Sequence, residues 1–549
     1  MVINRTLNAS ALALFAAMVL TASARADSPQ PEKRMLPMAD GVELATDIYK
    51  PDKGEGPWPV RLVRTPYGRT RYGNEYGSQA RYGYVMVLQD MRGRFDSQGK
   101  DIAFANCGWE APSDGMTTIE WIRQQSWCNG KIGTEGASAM GITQYMLGGA
   151  SPRVDAQYIL VASPSLYHHA TYPNGALRAS LVVGWLTDNA FDPENIWFMG
   201  AHPFYDKHWQ GFDSIARVEQ CNVPAVHFGG WYDVFQQGTI DGFVARHNQG
   251  GEGAKGKQKL IIGPWAHGGP NNRPVGEVTF PKNSQTLPHA CGGREWFDYY
   301  LKGKDTGIEN VPAVQYYTMG ALGPGEENAP GNKWRSADNW PVPAEPTPFY
   351  FHADGGLTAE PPATADAKRA YDYHPYKPVP TRGGCLLVLP SGPYDQRDLE
   401  QRPDVITFTT PPLEAPVEVT GRLIAKLVIT SNRLDTDFAV KLTDVYPDGT
   451  SLLIADGLAR CRARKGVDRI ALLEPGKPTE IKVDLWSTSM VFNKGHRIRV
   501  AVTSSNYPKY DVNVNTGWPG VPLAPVLPAH NEILCSKAHA SHIVLPIVK

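Results

Sequence analysis

Short, continuous runs of apolar residues recur through the first half of the chain, separated by segments with helical spacing. One such segment can begin at Ser113 or Asp114, and its residues Met116, Ile119 and Ile122 fall on one helical face. Apolar runs that alternate with helices are typical of buried parallel strands in an open α/β sheet, where ligands bind beyond the carboxyl ends of the strands. The clearest of these predicted strands cover residues 60–63, 84–88, 224–228 and 259–262.

From about residue 344 the pattern changes to short strands in which apolar and polar residues alternate. Turn sequences such as Pro447-Asp448-Gly449 stand between them. This spacing predicts a β-sandwich of jelly-roll type. The alternating strands cover residues 348–352, 405–409, 422–430, 437–445, 451–455, 480–485, 497–503 and 541–548.

Three further segments can be interpreted from their pattern. Residues 35–49 contain two alternating runs joined at Asp40-Gly41, which predicts a β-hairpin. Residues 166–211 are rich in aromatic residues at helical spacing, and they predict a helical cap inserted into the sheet domain. Residues 303–331 are rich in Gly, Pro and Asn, which is typical of a connection between domains.

The composition of the chain excludes several classes of function. Its 549 residues carry a net charge of −1 without a sustained basic run, so nothing indicates binding to nucleic acid or to an anionic membrane surface. The seven cysteines show no metal-type spacing, and we expect neither a zinc site nor a cofactor. Cys107 and Cys128 are the first pair to test for a disulfide; the alternative is that most of the cysteines are small buried hydrophobic residues.

The first 26 residues have the pattern of a signal peptide. Arg5 supplies a positive charge, residues 11–22 form an apolar run too short to span a bilayer, and Ala24-Arg25-Ala26 matches a small-x-small cleavage site. We therefore expect export to the periplasm or the medium, with a mature chain that begins near Asp27. No later segment has 18 uninterrupted apolar residues, so no membrane span is expected.

The stretch KIGTEGASAMGITQY, residues 131–145, contains a candidate nucleophile. A strand-like approach leads into Ser138, and a helix-like segment follows from Ile142. A serine at so sharp a strand-to-helix turn has its hydroxyl pushed out from the backbone, and the crowded turn needs small neighbours. The strict pattern is G-x-S-x-G, whereas here the second glycine, Gly141, comes one residue later. We predict that Ser138 is the nucleophile; a small-residue turn that only packs a helix on a sheet is the alternative.

Two later strands end beside polar residues that would complete such a site. Gly229-Gly230-Trp231-Tyr232-Asp233 follows one strand, and Gly263-Pro264-Trp265-Ala266-His267 follows the next. Acyl transfer by serine needs a base within hydrogen-bond reach and a carboxylate that fixes the tautomer of the base. We therefore predict that His267 takes the Ser138 proton and that Asp233 orients the imidazole. The order Ser, Asp, His along the chain is that of α/β hydrolases.

Longer motifs are spread along nearly all of the predicted mature chain. They are Pro66-Tyr67, LQDMRGRFDS at 88–97, the GWYD and GPWAH motifs at 230–233 and 263–267, PTRGG at 380–384, DQR at 395–397, DTDF at 435–438, HRIR at 496–499 and SSN at 504–506. With these motifs the chain resembles the cocaine-esterase and glutaryl-cephalosporin-acylase family, a relative of the X-prolyl dipeptidyl peptidases. The resemblance implies an α/β hydrolase domain over 27–165 and 212–335, a helical cap at 166–211 and a C-terminal all-β jelly-roll domain at 344–549.

The resemblance also implies roles for individual residues. Ser138, Asp233 and His267 match the catalytic triad. The Tyr67 hydroxyl and the backbone N–H of Ala139 match the oxyanion hole. The family often has an aromatic residue directly after the nucleophile, so Ala139 implies a roomier acyl pocket.

We expect the substrate pocket to be formed by the cap aromatics, of which Trp185 is one, and by Trp231, Tyr232 and Trp265. The jelly-roll domain is expected to contribute a wall over the mouth of the site. We interpret Asp90, Arg92 and Arg94 as a buried ion network near the site.

The favoured hypothesis is an exported serine hydrolase that cleaves a small-molecule ester, or an amide, through an acyl-enzyme. The alternative within the family is an amidase, either a β-lactam side-chain acylase or a peptidase-type enzyme. An α-amino-acid ester hydrolase is disfavoured, because residues 234–237 are Val, Phe, Gln and Gln rather than an acidic pair. The alternative of another class is a jelly-roll binding protein on an inert hydrolase scaffold. Assembly into a homo-oligomer is left open.

Overall fold

The structure is a computed structural model that describes residues 30–150, 153–271, 273–517 and 525–549. The predicted signal peptide lies outside the described residues. The described chain forms a mixed sheet covered by helices, followed by a β-sandwich.

The first sheet has ten strands: β1 (Glu32–Pro37), β2 (Glu43–Tyr49), β3 (Trp58–Thr65), β4 (Val85–Asp90), β5 (Cys128–Ala137), β6 (Ala156–Leu160), β7 (Ala225–Gly230), β8 (Gln258–Gly263), β9 (Val314–Gly320) and β10 (Lys333–Ala337). Their spatial order is β1-β2-β4-β3-β5-β6-β7-β8-β9-β10. The strands from β4 to β9 are parallel, whereas β1, β2 and β10 join antiparallel. The carboxyl ends of β3, β5, β7 and β8 therefore open onto one edge of the sheet.

Helices of the chain are α1 (Asp114–Arg123), α2 (Ala139–Gly149), α3 (Ala179–Asp188), α4 (Glu194–Ala201), α5 (Lys207–Gln210), α6 (Gln236–Gln249), α7 (Gly293–Lys302) and α8 (Arg397–Glu400). Alternate residues of one strand face opposite helical layers. Leu62 packs with Ile119 and Ile122 of α1, while its neighbour Val63 lies in the cluster that contains Phe297 of α7. Because these strands are buried on both faces, their sequences are continuous apolar runs.

Residues 166–211 are helical and contain no strand, as their aromatic spacing predicts. After a π-helical turn at Leu166–Thr171 come helices α3, α4 and α5, and residues of α3 and α4 lie over Ser138 at the carboxyl end of β5. Their apolar residues, such as Leu181 and Leu186, share a core cluster with Ile142 of α2. This packing fixes the cap above the end of β5.

The second region consists of two antiparallel sheets. Its strands are β11 (Glu345–Phe351), β12 (Leu357–Thr358), β13 (Lys368–Tyr373), β14 (Ile406–Thr409), β15 (Val417–Ser431), β16 (Asp437–Val445), β17 (Ser451–Arg460), β18 (Thr479–Phe492), β19 (Arg497–Thr503), β20 (Ala529–Leu534) and β21 (His542–Val548). One sheet is built around β15, which pairs with β18, β20 and β21. The other has the order β14-β19-β16-β17. Apolar residues of both sheets form one core, which confirms the predicted sandwich.

Six of these strands were not predicted from the sequence: β6, β9, β10, β12, β13 and β20. β9 lies within the segment interpreted as a connection, and it forms the next parallel strand after β8. β9 also pairs in parallel with β18, so the two regions share main-chain hydrogen bonds. β13 and β20 pair with each other at one side of the sandwich.

The candidate disulfide between Cys107 and Cys128 is not formed, and all seven cysteines are free. Cys107 is buried against the amino-terminal turn of α1, whereas Cys128 begins β5 after the other end of that helix. A ten-residue helix is about 15 Å long, well beyond the span of a disulfide. The alternative, that most cysteines are small buried hydrophobic residues, describes five of the seven.

Candidate active site

Ser138 stands alone between β5, which ends at Ala137, and α2, which begins at Ala139. Its backbone has φ 59° and ψ −123°, a conformation that costs a non-glycine residue roughly 1–3 kcal/mol. The turn is held because the Ser138 N–H donates to the carbonyl of Leu160, at 2.9 Å, and the Ser138 carbonyl accepts the first hydrogen bonds of α2.

Two glycines near Ser138 permit close packing, one at the turn and one where α2 meets β6. A Cβ on Gly136 would lie 2.5 Å from the Cβ of Met140, and Gly136 itself has φ 140°. A Cβ on Gly141 would lie 2.5 Å from the Cβ of Ala162. The second glycine can therefore come one residue late, because it serves the contact between α2 and the end of β6 rather than the turn itself.

The imidazole of His267 links Ser138 to Asp233. Its Nε2 lies 2.9 Å from Oγ of Ser138, and its Nδ1 lies 2.5 Å from Oδ2 of Asp233. Asp233 is fully buried, and its other oxygen accepts a hydrogen bond from the backbone N–H of Phe235 at 2.7 Å. With the imidazole proton on Nδ1, where the carboxylate accepts it, Nε2 is left to accept the Ser138 proton.

The loops that carry Asp233 and His267 are packed directly on each other. The backbone N–H of Trp231 donates to Gly263, and that of Tyr232 donates to the carbonyl of Trp265. A Cβ on Gly230 would lie 2.2 Å from the carbonyl oxygen of Trp265. Only glycine permits this approach, so the two motifs fix the separation of carboxylate and imidazole.

Tyr67 follows β3 and faces the nucleophile. The Ser138 side chain and the backbone N–H of Ala139 lie beside its hydroxyl, and both favour its ionised form. The indole N–H of Trp185 donates to this hydroxyl, at 3.1 Å. Desolvation raises the pKa of Tyr67, which these neighbours only partly offset, so the phenol keeps its proton at neutral pH.

A cavity of about 520 Å³, counting its open mouth, lies between Ser138 and the cap. Among the described residues that line it none is charged. Its apolar walls come from several parts of the chain: Ala103 and Phe104, Ala139 and Ile142 of α2, Leu166 and Ala170, Leu181, Val182, Trp185 and Leu186 of α3, Met199 of α4, and Phe235 after Asp233. Leu387, from the C-terminal region, closes one side, as expected for a wall contributed by that region.

Three of the predicted pocket residues lie elsewhere. Trp231 is buried and donates through its indole N–H to the carbonyl of Tyr317, at 2.6 Å. Trp265 stacks on Phe228 with ring centroids 5.1 Å apart. Tyr232 points to the second region, where its hydroxyl lies 3.4 Å from the carbonyl of Leu453. The prediction that these residues form the pocket is corrected, because the tight glycine loops turn their side chains into the core.

Of the predicted pocket aromatics, Trp185 lines the cavity, and its ring stacks on Phe104 at 5.7 Å. Sequence reasoning did not identify Phe104 or Leu387. Phe104 has φ 65°, a conformation that no local pattern signals, and Leu387 reaches the site only through tertiary packing.

The predicted ion network near the site has different partners. Asp90 pairs with Arg69 at 2.6 Å, whereas Arg92 pairs with Asp40 and Asp114. Arg94 pairs with Asp101 at 2.8 Å. Asp90, Arg92 and Arg94 therefore belong to three separate groups of ion pairs rather than to one network. Across the described ranges, no group of three or more His, Cys, Asp or Glu side chains could hold a metal ion, and no helix is long and apolar enough to cross a membrane.

Comparisons with known proteins agree with this architecture. Residues 40–196 and 188–269 match the family of X-Pro dipeptidyl-peptidase (S15 family), and residues 306–544 match the X-Pro dipeptidyl-peptidase C-terminal non-catalytic domain. Cocaine esterase of Rhodococcus sp. (strain MB1 Bresler) is 33% identical, over 94% of this chain and 98% of the relative. A putative serine esterase of Mycobacterium bovis is 25% identical, over 93% of this chain and 94% of the relative.

Solved structures show the same fold over the whole length. An aminopeptidase from a marine sediment Thaumarchaeota archaeon superposes with a TM-score of 0.81 at 24% identity, covering 97% of this chain and 99% of the other. An α-amino acid ester hydrolase superposes with a TM-score of 0.76 at 24% identity, covering 96% and 98%. The chain therefore belongs to the family of cocaine esterase and the X-Pro dipeptidyl-peptidases, and it is a serine hydrolase of the carboxylesterase or acylase type.

Proposed function

We propose that this hydrolase cleaves carboxylic esters with apolar acyl groups through an acyl-enzyme on Ser138. The observation that carries the proposal is the pair of hydrogen bonds that joins Ser138, His267 and Asp233 at the floor of an uncharged cavity. A serine in this arrangement has a base for its proton and a buried carboxylate that stabilises the resulting imidazolium.

In the first step, Nε2 of His267 takes the proton as Oγ of Ser138 attacks the ester carbonyl. The tetrahedral intermediate collapses when the imidazolium returns that proton to the leaving alcohol. Water, deprotonated by the same imidazole, then attacks the acyl-enzyme, and the acid is released as the imidazolium returns the proton to Oγ of Ser138. Asp233 keeps the proton on Nδ1 and stays ionised throughout.

The oxyanion of both tetrahedral intermediates would be bound by the Tyr67 hydroxyl and the backbone N–H of Ala139. Ala139 directly follows the nucleophile, and the Tyr67 hydroxyl lies beside both residues. The raised pKa of Tyr67 supports its role as a neutral donor through the working pH range. One donor of this kind is worth roughly a hundredfold to a thousandfold in turnover.

The wall of the cavity supports an apolar acyl group. The aliphatic side chains of α3 and the stacked pair Phe104 and Trp185 offer surface for an aliphatic or aromatic acid. Among the described residues of the lining there is no carboxylate that could hold an ammonium, which disfavours α-amino-acyl substrates. We propose esters rather than amides because a peptide-type substrate would place polar groups against this apolar wall.

The test is a panel of p-nitrophenyl esters from acetate to benzoate and the matched p-nitroanilides, followed by stopped flow. We expect a burst of about one p-nitrophenol per active site with the esters, and much slower release from the anilides. Efficient cleavage of anilides without ester cleavage would overturn the ester assignment. Ligand binding with no turnover of any substrate would favour the binding-protein alternative.

We also propose export through the predicted signal peptide at residues 1–26. The support is the sequence pattern alone. Expression of the full chain in a Gram-negative host, followed by fractionation and amino-terminal sequencing, tests it. A periplasmic protein beginning near Asp27 is expected, and an uncleaved protein confined to the cytoplasm would contradict it.

A further inference from the structure

The hydroxyl of Tyr67 is held from the cap by Trp185. The indole N–H donates to it at 3.1 Å, and the two rings meet edge to face with centroids 6.3 Å apart. An indole can only donate, so this contact occupies a lone pair of the phenol and leaves the phenolic proton for another acceptor. A phenol that accepts a hydrogen bond is also a stronger donor, because neighbouring hydrogen bonds polarise each other.

The peptide group that precedes Tyr67 is held by Arg94. Nε of this buried guanidinium donates to the carbonyl of Pro66, which precedes Tyr67, at 3.2 Å. Its Nη2 donates to the carbonyl of Asn189 at 2.6 Å, and its Nη1 donates to that of Ala190 at 3.0 Å. The guanidinium of Arg94 therefore joins the loop that carries Tyr67 to the end of helix α3.

The carboxyl end of α3 presents carbonyl oxygens to the guanidinium of Arg94. Asn189 caps the helix, and Ala190 follows with φ 51°, so the last carbonyls turn away from the helix. Carbonyls at a helix carboxyl end lack partners within the helix and favour a positive charge. Arg94 is also fixed by its ion pair with Asp101, at 2.8 Å, and by the ring of Phe191, 4.0 Å away.

We infer that Trp185 and Arg94 are positioning residues for Tyr67, one at its hydroxyl and one at its backbone, so that helix α3 sets the geometry of the oxyanion hole. The inference rests on the proposed role of Tyr67 as an oxyanion donor. It gives α3 two tasks: its apolar residues form the acyl wall, and its indole and carboxyl end fix a group that contacts the reacting oxygen.

A role for Trp185 in the pocket wall alone makes a different prediction. A wall residue changes substrate binding whether or not Tyr67 has its hydroxyl. A positioning residue changes the acylation rate constant, and only while that hydroxyl is present. A double-mutant cycle separates the two cases.

The experiment combines Trp185→Phe with Tyr67→Phe and measures acylation at saturating ester by stopped flow. Trp185→Phe alone is expected to slow acylation about fivefold to tenfold, the effect of one lost hydrogen bond. In the Tyr67→Phe background it should slow acylation less than twofold. Leu387→Ala is the matched control, because this side chain belongs to the same cavity wall but comes from the C-terminal region rather than from α3, and its effect should be the same in both backgrounds.

Arg94 is tested with Arg94→Met and Arg94→Lys in the same two backgrounds. Arg94→Met should slow acylation about tenfold or more with Tyr67 present, and Arg94→Lys should recover part of the rate because it keeps the charge. Both effects should shrink in the Tyr67→Phe background. Thermal melts of each variant show that the rates come from folded protein.

Two results would overturn the inference in different ways. Equal effects of Trp185→Phe with and without the Tyr67 hydroxyl, beside a large effect of Tyr67→Phe itself, would remove the positioning role and leave the proposed function intact. A neutral Tyr67→Phe would remove the oxyanion role, and the inference would fall with it.

Discussion

The edge of the parallel sheet and the cap contribute to the same cavity in different ways. The sheet edge supplies polar atoms, each on a loop whose position is fixed by neighbouring strands and by glycine contacts, as at Gly230 and Gly141. The cap supplies mainly apolar surface on short helices. We infer that the sheet edge determines whether acyl transfer occurs, whereas the cap determines which acyl group is accepted. The contacts of Tyr67 with α3 are where the two regions meet.

The largest effects are expected at the sheet edge. Ser138→Ala should lower kcat/KM by about 10⁴-fold or more, because it removes the attacking atom, and Asp233→Asn should cost about as much, because it favours the wrong imidazole tautomer. Both variants should retain the wild-type melting temperature within a few degrees. Steady-state rates with a p-nitrophenyl ester measure the loss. A Ser138→Ala enzyme with near-normal turnover would mean that another residue is the nucleophile.

A change in the pocket should alter selectivity rather than chemistry. Ala139→Phe keeps the backbone N–H but places a ring in the cavity that the small side chain leaves open. We expect kcat/KM for a benzoate ester to fall about tenfold or more, with that for an acetate ester changed less than threefold. The ratio of the two rates is the measurement. An equal loss for both esters would show that this position belongs to the chemistry and would break the division between the two regions.

The smallest effect on catalysis is expected from His496, which lies far along the chain in the second region. Its Nδ1 lies 2.9 Å from Asp444 and its Nε2 lies 3.1 Å from Glu326. Burial alone would lower the pKa of His496, but the hydrogen bonds with these carboxylates outweigh it and raise the pKa above its ordinary value. Its protonated form therefore stabilises the fold below about pH 6.5, and that contribution is lost as the pH rises through the raised pKa.

His496→Gln should accordingly lower the melting temperature by roughly 5 °C or more at pH 6, with a smaller difference at pH 9. Ester turnover at 25 °C should stay within twofold of wild type. Thermal melts across this pH range make the comparison. If the difference in melting temperature between wild type and His496→Gln grew towards pH 9, the protonated form of His496 would not be the one that stabilises the fold.

The sequence was most informative where local pattern and chemistry coincide. Continuous apolar runs predicted four of the parallel strands, β3, β4, β7 and β8, and alternation predicted most strands of the sandwich, with β16 and β19 matching residue for residue. Ser138, Asp233 and His267 were predicted as a group because each follows a strand of one sheet, and the structure brings them within hydrogen-bond distance.

The parts that could not be predicted depend on contacts between distant residues. Trp231 and Trp265 follow the right strands, but close glycine packing, which no spacing rule describes, turns both indoles into the core. Leu387 becomes a wall of the site although it lies about 250 residues from Ser138 in the chain. From the sequence, Arg94 was interpreted as one member of a buried ion network. In the structure it also donates hydrogen bonds to carbonyls of the cap.

Labelling with a fluorophosphonate distinguishes whether Ser138 is the nucleophile that His267 activates. Intact-mass analysis and peptide mapping would follow the reaction of wild type, Ser138→Ala and His267→Ala. We predict one adduct per chain on the peptide that contains Ser138, greatly slowed labelling of His267→Ala, and no labelling of Ser138→Ala. An adduct on another residue of the wild type, or labelling of Ser138→Ala at the wild-type rate, would contradict the account.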